Sequence, residues 1–563
     1  MSLEPGALSP EPRARYTFPM RPPAYRVERD PLGEVRVPAR AYYGGQTARA
    51  VRNFPISGLT APPALVTATI LIKKAAAEAN RALGRLSPSL ARPIVKAADE
   101  VLGGRLRDQF VVDVYQAGAG TSHNMNANEV LANRAAEILG GRLGTYTRIH
   151  PNDHVNMGQS TNDVYPTATR LAILFVLRDL LVAVRALADR LAQKSQEFTA
   201  ILKTGRTHLQ DAVPMTLGQE FGGYAANVAH AASELERTAA QLYELNLGAT
   251  AVGTGLNAGD DYTREAIANL ARYTGLPLRG AANRFRVTQS MGDVLAYSGA
   301  LRRLSVETAK IASDLRLLSM GPRAGIAEIQ LPAVQPGSSI MPGKVNPSVP
   351  EMVNQVCCQV VGCDAAILAA ADAGQLELNV MMPVIAWNAV HATTILGQAI
   401  RVFADLCISG ITADAGRARE LLDRSTALAT ALSPHIGYAQ TAEIAKLSIE
   451  TGRPIREIVR ERRLMPDEEL DAILSPEAMT SPGRPGYNTQ HKEGRPSRET
   501  NRTRRAGRAR TAGADRGTPA AAAARQAVSP RKPAPARGPG SRRLAAPRSD
   551  HGRAQHRRRQ RRR

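Results

Sequence analysis

Gly337-Ser338-Ser339-Ile340-Met341-Pro342-Gly343-Lys344-Val345-Asn346-Pro347 sets two hydroxyls side by side and follows them, within eight positions, with a cation and an amide. Pro342, Gly343 and Pro347 punctuate the stretch. Proline removes a backbone donor and glycine admits positive φ, so the residues predict a loop. A mobile loop carrying Ser, Lys and Asn can close over a small anion. It can bring a hydroxyl to a C–H bond while the cation holds a carboxylate. A solvated surface turn has the same composition, so the meaning of the loop depends on what the rest of the chain brings to it.

On both sides the chain reads as helix. Leu174, Leu177, Leu181, Val184, Leu187 and Leu191 recur at steps of three and four, the mark of one helix face. Helical patterning also runs from Leu65 past Leu106 and covers roughly 217–247, 261–273, 289–318, 347–372 and 385–409. Polar or Gly-rich joints separate these segments. Short joints between long helices make antiparallel neighbours, so residues about 160–415 predict an extended helical bundle. The 563 residues are 43% hydrophobic but only 4% aromatic. The core must therefore be aliphatic, which suits helices packed on helices. Arg26 to Phe54 reads as short extended pieces with prolines, an arm laid on a domain surface. From Ile411 the helices shorten.

The net charge of +23 suggests a nucleic-acid binder until it is located. From Arg484 onward there are 24 Lys+Arg against 4 Asp+Glu, a net of +20, which leaves +3 for everything before. That tail is rich in Arg, Pro, Ala and Gly, cannot bury a core, and reads as disordered. Three readings of it compete: a polyanion-binding segment acting by counterion release, an inert solvated extension, and a translation artefact of GC-rich codons. Cys357, Cys358, Cys363 and Cys407 lack zinc-ligand spacing. They read as buried thiols on helices in a reducing cytoplasm. The proline-rich first 24 residues hold no apolar secretory core. Leu378 to Ile400 carries no charge but is interrupted by Asn379, Pro383, Asn388, His391 and Gln398. A buried bundle helix explains it better than a bilayer span.

Three further stretches carry hydroxyls or amides at predicted joints. Gly118 to Asn128 is a loop or helix start in which Thr121 and Ser122 can face an anion or simply cap a helix. Ser160-Thr161-Asn162-Asp163 is a polar cap before a long apolar segment. Thr207-His208 lies in a Gly-flanked turn, where a lone His is as readily structural as functional. Together with Ser338, Ser339, Lys344 and Asn346 they offer many neutral donors and one fixed cation, which suits a small dianion. No metal-ligand spacing appears, no cofactor is implied, and Gly248–Gly255 is a weak dinucleotide fingerprint without a clear preceding strand. The reaction class that uses such a set removes a proton next to a carboxylate. The extra charge of the resulting enediolate-like species needs preorganised donors and a cation. A Ser hydroxyl serves as base only where loop N–H groups and a nearby cation favour its ionised form.

The stretch 337–347 resembles the signature of the fumarase/aspartase superfamily. The likeness runs from about Tyr25 to about Gly483, through Ala41-Tyr42-Tyr43-Gly44, Gly118-Ala119-Gly120-Thr121, His150-Pro151-Asn152-Asp153, Gly158-Gln159-Ser160-Thr161-Asn162-Asp163 and Gly205-Arg206-Thr207-His208-Leu209-Gln210-Asp211. The resemblance implies a mostly α, three-domain fold with a long central bundle. After a leader at 1–24, an N-terminal lyase domain covers 25–160, the bundle 161–415 and a small helical domain 416–483. The basic tail at 484–563 lies beyond the family's span. It implies Ser338 as base, with Lys344 and Asn346 holding the α-carboxylate with help from His208. Thr121, Ser160, Thr161 and Ser339 would hold the β-carboxylate, and Asn162, Thr207 and His208 would face the leaving group. It also implies a homotetramer with each site shared among subunits. His150 to Asp153 resembles a secondary anion site of fumarases.

Within the family, Asn246-Leu247-Gly248-Ala249-Thr250-Ala251, Val349 to Val356 and Gly118 to Ser122 resemble members that deaminate L-aspartate to fumarate. Met381-Met382-Pro383 resembles members that hydrate fumarate to L-malate, and His123 stands where relatives carry a smaller or unbranched side chain, close enough to Thr121 to disturb a pocket. The expectation is an ammonia-lyase acting on L-aspartate, with fumarate hydration as the alternative. A polyanion binder that uses only the tail, on a helical scaffold, is the non-enzymatic alternative.

Overall fold

The computed structural model describes residues 24–483. The tail beginning at Arg484 and all but the last residue of the leader lie outside the described residues.

The chain opens with a hairpin, β1 (Tyr25–Asp30) and β2 (Gly33–Pro38), followed by α1 (Gly45–Asn53). The helical run that patterning extends from Leu65 past Leu106 is two helices, α2 (Pro63–Ala82) and α3 (Pro88–Leu102). The break falls at Gly84 and Pro88, where a left-handed glycine and a helix-starting proline end one helix and begin the next. With α4 (Thr121–Ile138) they enclose a core of Val66, Ile70, Ile94, Val130, Leu131 and Ile149.

The bundle is built on α5 (Thr161–Glu197), 37 residues long. Its start is a capping box: Ser160 Oγ accepts the Asn162 N–H while Asp163 accepts the Ser160 N–H. The predicted apolar stripe is there with one shift. Leu174, Leu177, Leu180, Val184, Leu187 and Leu191 are buried, and Leu181 is only half-buried because Leu180 turns further into the core. A second hairpin, β3 (Leu202–Thr207) and β4 (Gln210–Thr216), leads into α6 (Leu217–Ala239), itself started by a Thr216/Gln219 capping box. Next come β5 (Glu244–Leu245), α7 (Asp260–Thr274), β6 (Arg279–Gly280), paired parallel to β5, and α8 (Arg284–Gln289). The bundle is completed by α9 (Gly292–Leu318), β7 (Ile329–Gln330), α10 (Ser348–Asp372) and α11 (Met382–Leu406). Helices α6 and α11 flank α5, and α9, α10 and α11 pack in series. Arg170 of α5, wholly buried, forms a bidentate pair with Asp293 of α9, Nε to Oδ2 at 2.6 Å.

The two segments Ser348–Asp372 and Met382–Gly410 are long and apolar enough to cross a membrane by length and composition. Both α10 and α11 contribute to the bundle core, through Val353, Val360, Ile367, Ile385, Leu396 and Phe403. Cys357, Cys363 and Cys407 are buried free thiols, and burial pushes Cys357 and Cys407 up to about 12. The expectation of four buried thiols fails at Cys358, which is exposed on the outer face of α10.

After β8 (Thr412–Ala413), which pairs with β7, six short helices follow: α12 (Ala415–Arg424), α13 (Ala429–Ile436), α14 (Tyr438–Thr451), α15 (Ile455–Glu461), α16 (Asp467–Ile473) and α17 (Pro476–Thr480). They share a core of Leu422, Leu432, Ile444, Ile458 and Leu470, into which β3 inserts Leu202. The hairpin that carries Thr207 and His208 is therefore footed on this small core.

Candidate active site

The loop from Gly337 to Pro347 closes on itself before α10. Gly337 has φ +89°, and a Cβ there would lie 2.1 Å from the Lys344 carbonyl oxygen. Only glycine allows the close approach through which the Ser338 N–H reaches the Lys344 carbonyl at 3.1 Å. Inside the ring, Ser338 Oγ accepts two backbone N–H groups, from Ile340 at 3.3 Å and Met341 at 3.1 Å. Two donors aimed at one hydroxyl oxygen favour its ionised form over its neutral one. Lys344 Nζ donates to Asn346 Oδ1 at 2.8 Å, so the cation and the amide meet. Ser339 and Lys344 are exposed, and Ile340 is 83% exposed. Beneath the loop lies a groove of about 1130 Å³ lined by Arg316, Lys344, Asn346, Glu351 and Asp414 among others.

A second group forms where α4 and α5 begin. Gly120, at φ +82°, lies face to face with the Tyr165 ring, which a Cβ at 120 would strike at 2.1 Å. The Ala119 N–H donates to the Val380 carbonyl at 2.9 Å and fixes the turn into Thr121. One helical turn after Thr121, Asn124 Nδ2 donates to Thr161 Oγ1 at 3.0 Å and ties the two helix starts together. Asn162 Nδ2 donates to the Ala251 carbonyl at 2.8 Å. Its carbonyl oxygen is thereby left as the group it can offer an incoming molecule. Asp163 is fully buried and accepts N–H groups from Ser160, Gly248 and Thr250, each at 3.0 Å. Burial pushes its carboxyl up against the pull of those three donors. Lys73, wholly buried below the same corner and pulled down by burial, donates to Asn156 Oδ1 and Gln159 Oε1, both at 2.9 Å.

The third group is the β3–β4 hairpin tip. His208 and Leu209 occupy its two-residue turn at φ +55° and +58°, and Thr207, His208 and Leu209 are exposed. Positive φ at both positions is the signature of a tight hairpin turn that ordinarily takes Asn-Gly. A leucine held there costs roughly 1–2 kcal/mol. The hairpin stem is pinned by charges: Arg206 Nη2 lies 2.9 Å from Glu328 Oε1, and Lys203 bridges Glu220 and the wholly buried Glu328.

Within one chain the group at the starts of α4 and α5 stands apart from the other two. Ser160–Asn162 start α5 and the hairpin follows its far end, a helix roughly 55 Å long at 1.5 Å per residue. The signature loop precedes α10, whose other end leads within a few residues to Val380 beside Thr121, roughly 37 Å away by the same rise. The candidate residues therefore fall into separate groups within one chain. Thr121, Ser160, Thr161 and Asn162 gather at one end of the bundle, with Ser338, Ser339, Lys344 and Asn346 in one loop at the other. Thr207 and His208 stand on a separate hairpin.

One expectation is corrected. His123 does not reach the pocket: it is 1% exposed, packs edge-on against Tyr165, and burial pulls it down to about 4. Its Nε2 lies 3.0 Å from Thr69 Oγ1, whose proton goes to the Leu65 carbonyl, so His123 is the donor and is neutral. Met382, the first residue of α11, is fully buried. His150 to Asp153 folds on itself, with His150 Nδ1 accepting the Asp153 N–H at 3.2 Å. Sequence reasoning missed Lys73, Asn124, Asn156 and Gln159. Their traces were a lysine pair inside the apolar run Leu71-Ile72-Lys73-Lys74-Ala75, and Asn124, Asn126 and Asn128 in a helix interior, where Asn is unfavourable.

Comparison with known proteins bears on the geometry. A family model described as Lyase matches residues 33–362, and one described as Fumarase C C-terminus matches residues 428–481. The aspartate ammonia-lyase of Bacillus subtilis (strain 168) is 48% identical over 468 residues, covering 83% of this chain and 98% of that protein. A class II fumarate hydratase of Neisseria meningitidis is also 48% identical, over 458 residues, covering 81% of this chain and 99% of that one. The crystal structure of the fumarate lyase:delta crystallin from Brucella melitensis bound to cobalt superposes with a TM-score of 0.79 at 48% identity, covering 82% of this chain and 100% of its own.

Proposed function

Because the chain belongs to the fumarase/aspartase lyase family, we propose that it is an aspartate ammonia-lyase, interconverting L-aspartate with fumarate and ammonia. Ser338 takes the proton from the carbon next to the β-carboxylate, and the electron pair moves into that carboxylate as an aci-carboxylate. Its collapse forms the double bond and expels the amino group. The observation that carries the reading is the Ser338 oxygen held by two backbone N–H groups in a ring that only Gly337 permits. Lys344 and Asn346, with help from His208, hold the α-carboxylate. Thr121, Ser160, Thr161 and Ser339 receive the β-carboxylate and its developing charge. Asn162, whose amide nitrogen is committed to Ala251, offers its carbonyl oxygen to the amino group, joined by Thr207 and His208. Aspartate is favoured over malate by the aspartate ammonia-lyases among the relatives. The Neisseria relative keeps fumarate hydration as the second reading.

The separation of the groups supports a homotetramer in which several chains complete each site. Roughly 37 to 55 Å of rigid helix stands between the Thr121–Asn162 group and the other two, more than loop closure bridges. Ultraviolet detection of fumarate from L-aspartate and from L-malate in parallel, with Ser338→Ala as control, tests the chemistry. Fumarate from aspartate, lost by a factor of about 10²–10⁴ in the variant, is expected for removal of a general base. Fumarate from malate alone would refute the assignment. Sharing of sites is tested by mixing inactive Ser338→Ala and Thr207→Val chains. Random mixing in a symmetric assembly should restore about a quarter of the sites, and no recovery in verified mixed tetramers would count against it. Removal of residues 484–563 should leave lyase activity intact.

A further inference from the structure

Thr161 is placed by the reading above against a substrate carboxylate, and a hydroxyl can meet a carboxylate only by donating. A hydroxyl can equally accept. What decides its direction is a chain of side chains that begins well away from the substrate.

The chain starts at Lys73, an amine that donates to both of its amide partners. Its two acceptors are oriented independently of it. Gln159 Nε2 donates to the Val155 and Met157 carbonyls, at 3.0 and 3.3 Å, which turns Gln159 Oε1 toward Lys73. Asn156 Nδ2 donates to the Gln159 carbonyl at 3.2 Å, which turns Asn156 Oδ1 toward Lys73. Backbone carbonyls and the lysine thus agree on which way both amides face, and the orientation does not rest on a free choice of flip.

Asn156 Oδ1 then imposes its polarity on the next layer. Asn124 and Asn128 both present Nδ2 to it, each at 3.3 Å. The carbonyl oxygens of Asn124 and Asn128 are buried and have no partner among the described residues. Leaving a buried carbonyl unpaired is costly. Turning either amide over would set oxygen against oxygen at Asn156, so the cost is borne at both. With Nδ2 of Asn124 fixed in this way, Thr161 Oγ1 must accept from it at 3.0 Å. Thr161 is the first residue of α5 and has no carbonyl one turn earlier in its own helix to take its proton. The hydroxyl hydrogen is left to point outward.

We propose that Asn124 is a positioning residue that fixes Thr161 as a hydrogen-bond donor, its own orientation set by Lys73 through Asn156. The same asparagine ties the Thr121 helix to the Ser160–Asn162 cap, so one side chain both locates and polarises this half of the site. The proposal rests on the reading that Thr161 meets the substrate.

The test is steady-state kinetics of the full-length assembled enzyme, using whichever of L-aspartate or L-malate turns over, with succinate as inhibitor. Asn124→Ala removes the constraint and leaves the hydroxyl free to rotate. Asn124→Asp is nearly isosteric but presents an oxygen to Thr161, which would draw its proton inward and turn lone pairs on the substrate. A merely structural role predicts that the isosteric change is the milder. The proposal expects the reverse: a loss in kcat/KM of about 100-fold for Asn124→Asp against about 3- to 10-fold for Asn124→Ala, with the succinate inhibition constant rising in the same order. In a Thr161→Val background, most of the difference between Asp and Ala should disappear. Asn124→Asp and Asn124→Ala within twofold of each other, or an Asp-to-Ala difference undiminished without the Thr161 hydroxyl, would overturn the proposal. Should Asn124→Asp fail to assemble, Asn156→Leu releases Asn124 from its reference, and its effect must likewise vanish in Thr161→Val; full additivity refutes the chain. A Thr161→Val enzyme as active as wild type would remove the premise itself. A damaging Thr161→Val with equal Asn124 variants would overturn the orientation argument alone.

Discussion

Replacing Gly337 with alanine should disable the loop without disturbing the fold. The new Cβ would sit 2.1 Å from the Lys344 carbonyl oxygen, on a residue whose φ is +89°. Left-handed backbone costs an L-residue about 1–2 kcal/mol. Displacing the carbonyl also loses the Ser338 N–H bond to it, worth about 1 kcal/mol. The penalty of about 2–3 kcal/mol falls on the closed ring alone, which corresponds to about 30- to 150-fold in its population at 1.36 kcal/mol per tenfold. If the ring holds Ser338 in its basic form, kcat/KM for L-aspartate should fall by up to that factor. The loop is exposed and outside the apolar clusters, so the melting temperature should stay near that of the wild type. Activity is measured by fumarate absorbance and stability by thermal melting of the same preparation. Activity within threefold of wild type would refute the argument that the ring supports the base. A melting temperature that fell in step with activity would show instead that the loop belongs to the cooperative core.

Two further outcomes follow from buried groups. His123 is held neutral, about 4 against an ordinary 6.5, so the unfolded chain binds the extra proton first, and stability is lost as pH falls from about 6.5 to about 4. The urea midpoint of wild type should therefore drop more steeply than that of His123→Gln over this range; Asp163, pushed up by burial, titrates in the opposite sense but is common to both chains. Parallel midpoints would refute it. Asp293→Ala should destabilise by about 3–5 kcal/mol, because it strands the wholly buried Arg170 guanidinium, and a chemical-denaturation loss below about 1 kcal/mol would show that the pair is replaced by solvent.

What was legible in the sequence, and what was not, divides along a physical line. The stripe from Leu174 to Leu191 announced α5 because a helix packed on one side must repeat its apolar residues near every 3.6 positions. The loop at 337–347 announced itself because glycine and proline restrict backbone wherever they stand. Both are local rules. The break between α2 and α3 was also local, at Gly84 and Pro88, but the apolar pattern continues through it and masked the stop. Leu180 replaced Leu181 in the core because a small rotation about the axis decides between neighbours that periodicity treats alike.

The polar half of the site followed no local rule. Lys73, Asn124, Asn156 and Thr161 lie on three separate stretches of chain, and nothing in any one of them states that an amine orients an amide that orients a hydroxyl. Even the named residues could be assigned chemistry but not convergence. Ser338 and Thr161 belong to one reaction on the proposed reading, yet each stands at its own end of the bundle, because long helices such as α5 and α10 are rigid and cannot fold back. On the proposed reading the same rigidity has a use in a tetramer. If sites form only where the ends of different chains meet, the long helices that bury the core also set the spacing of the catalytic groups. A substitution deep in the α5–α11 packing, such as Leu187→Ala, would then loosen all the sites of a tetramer at once, whereas one in the hairpin tip would strike a single contribution to each.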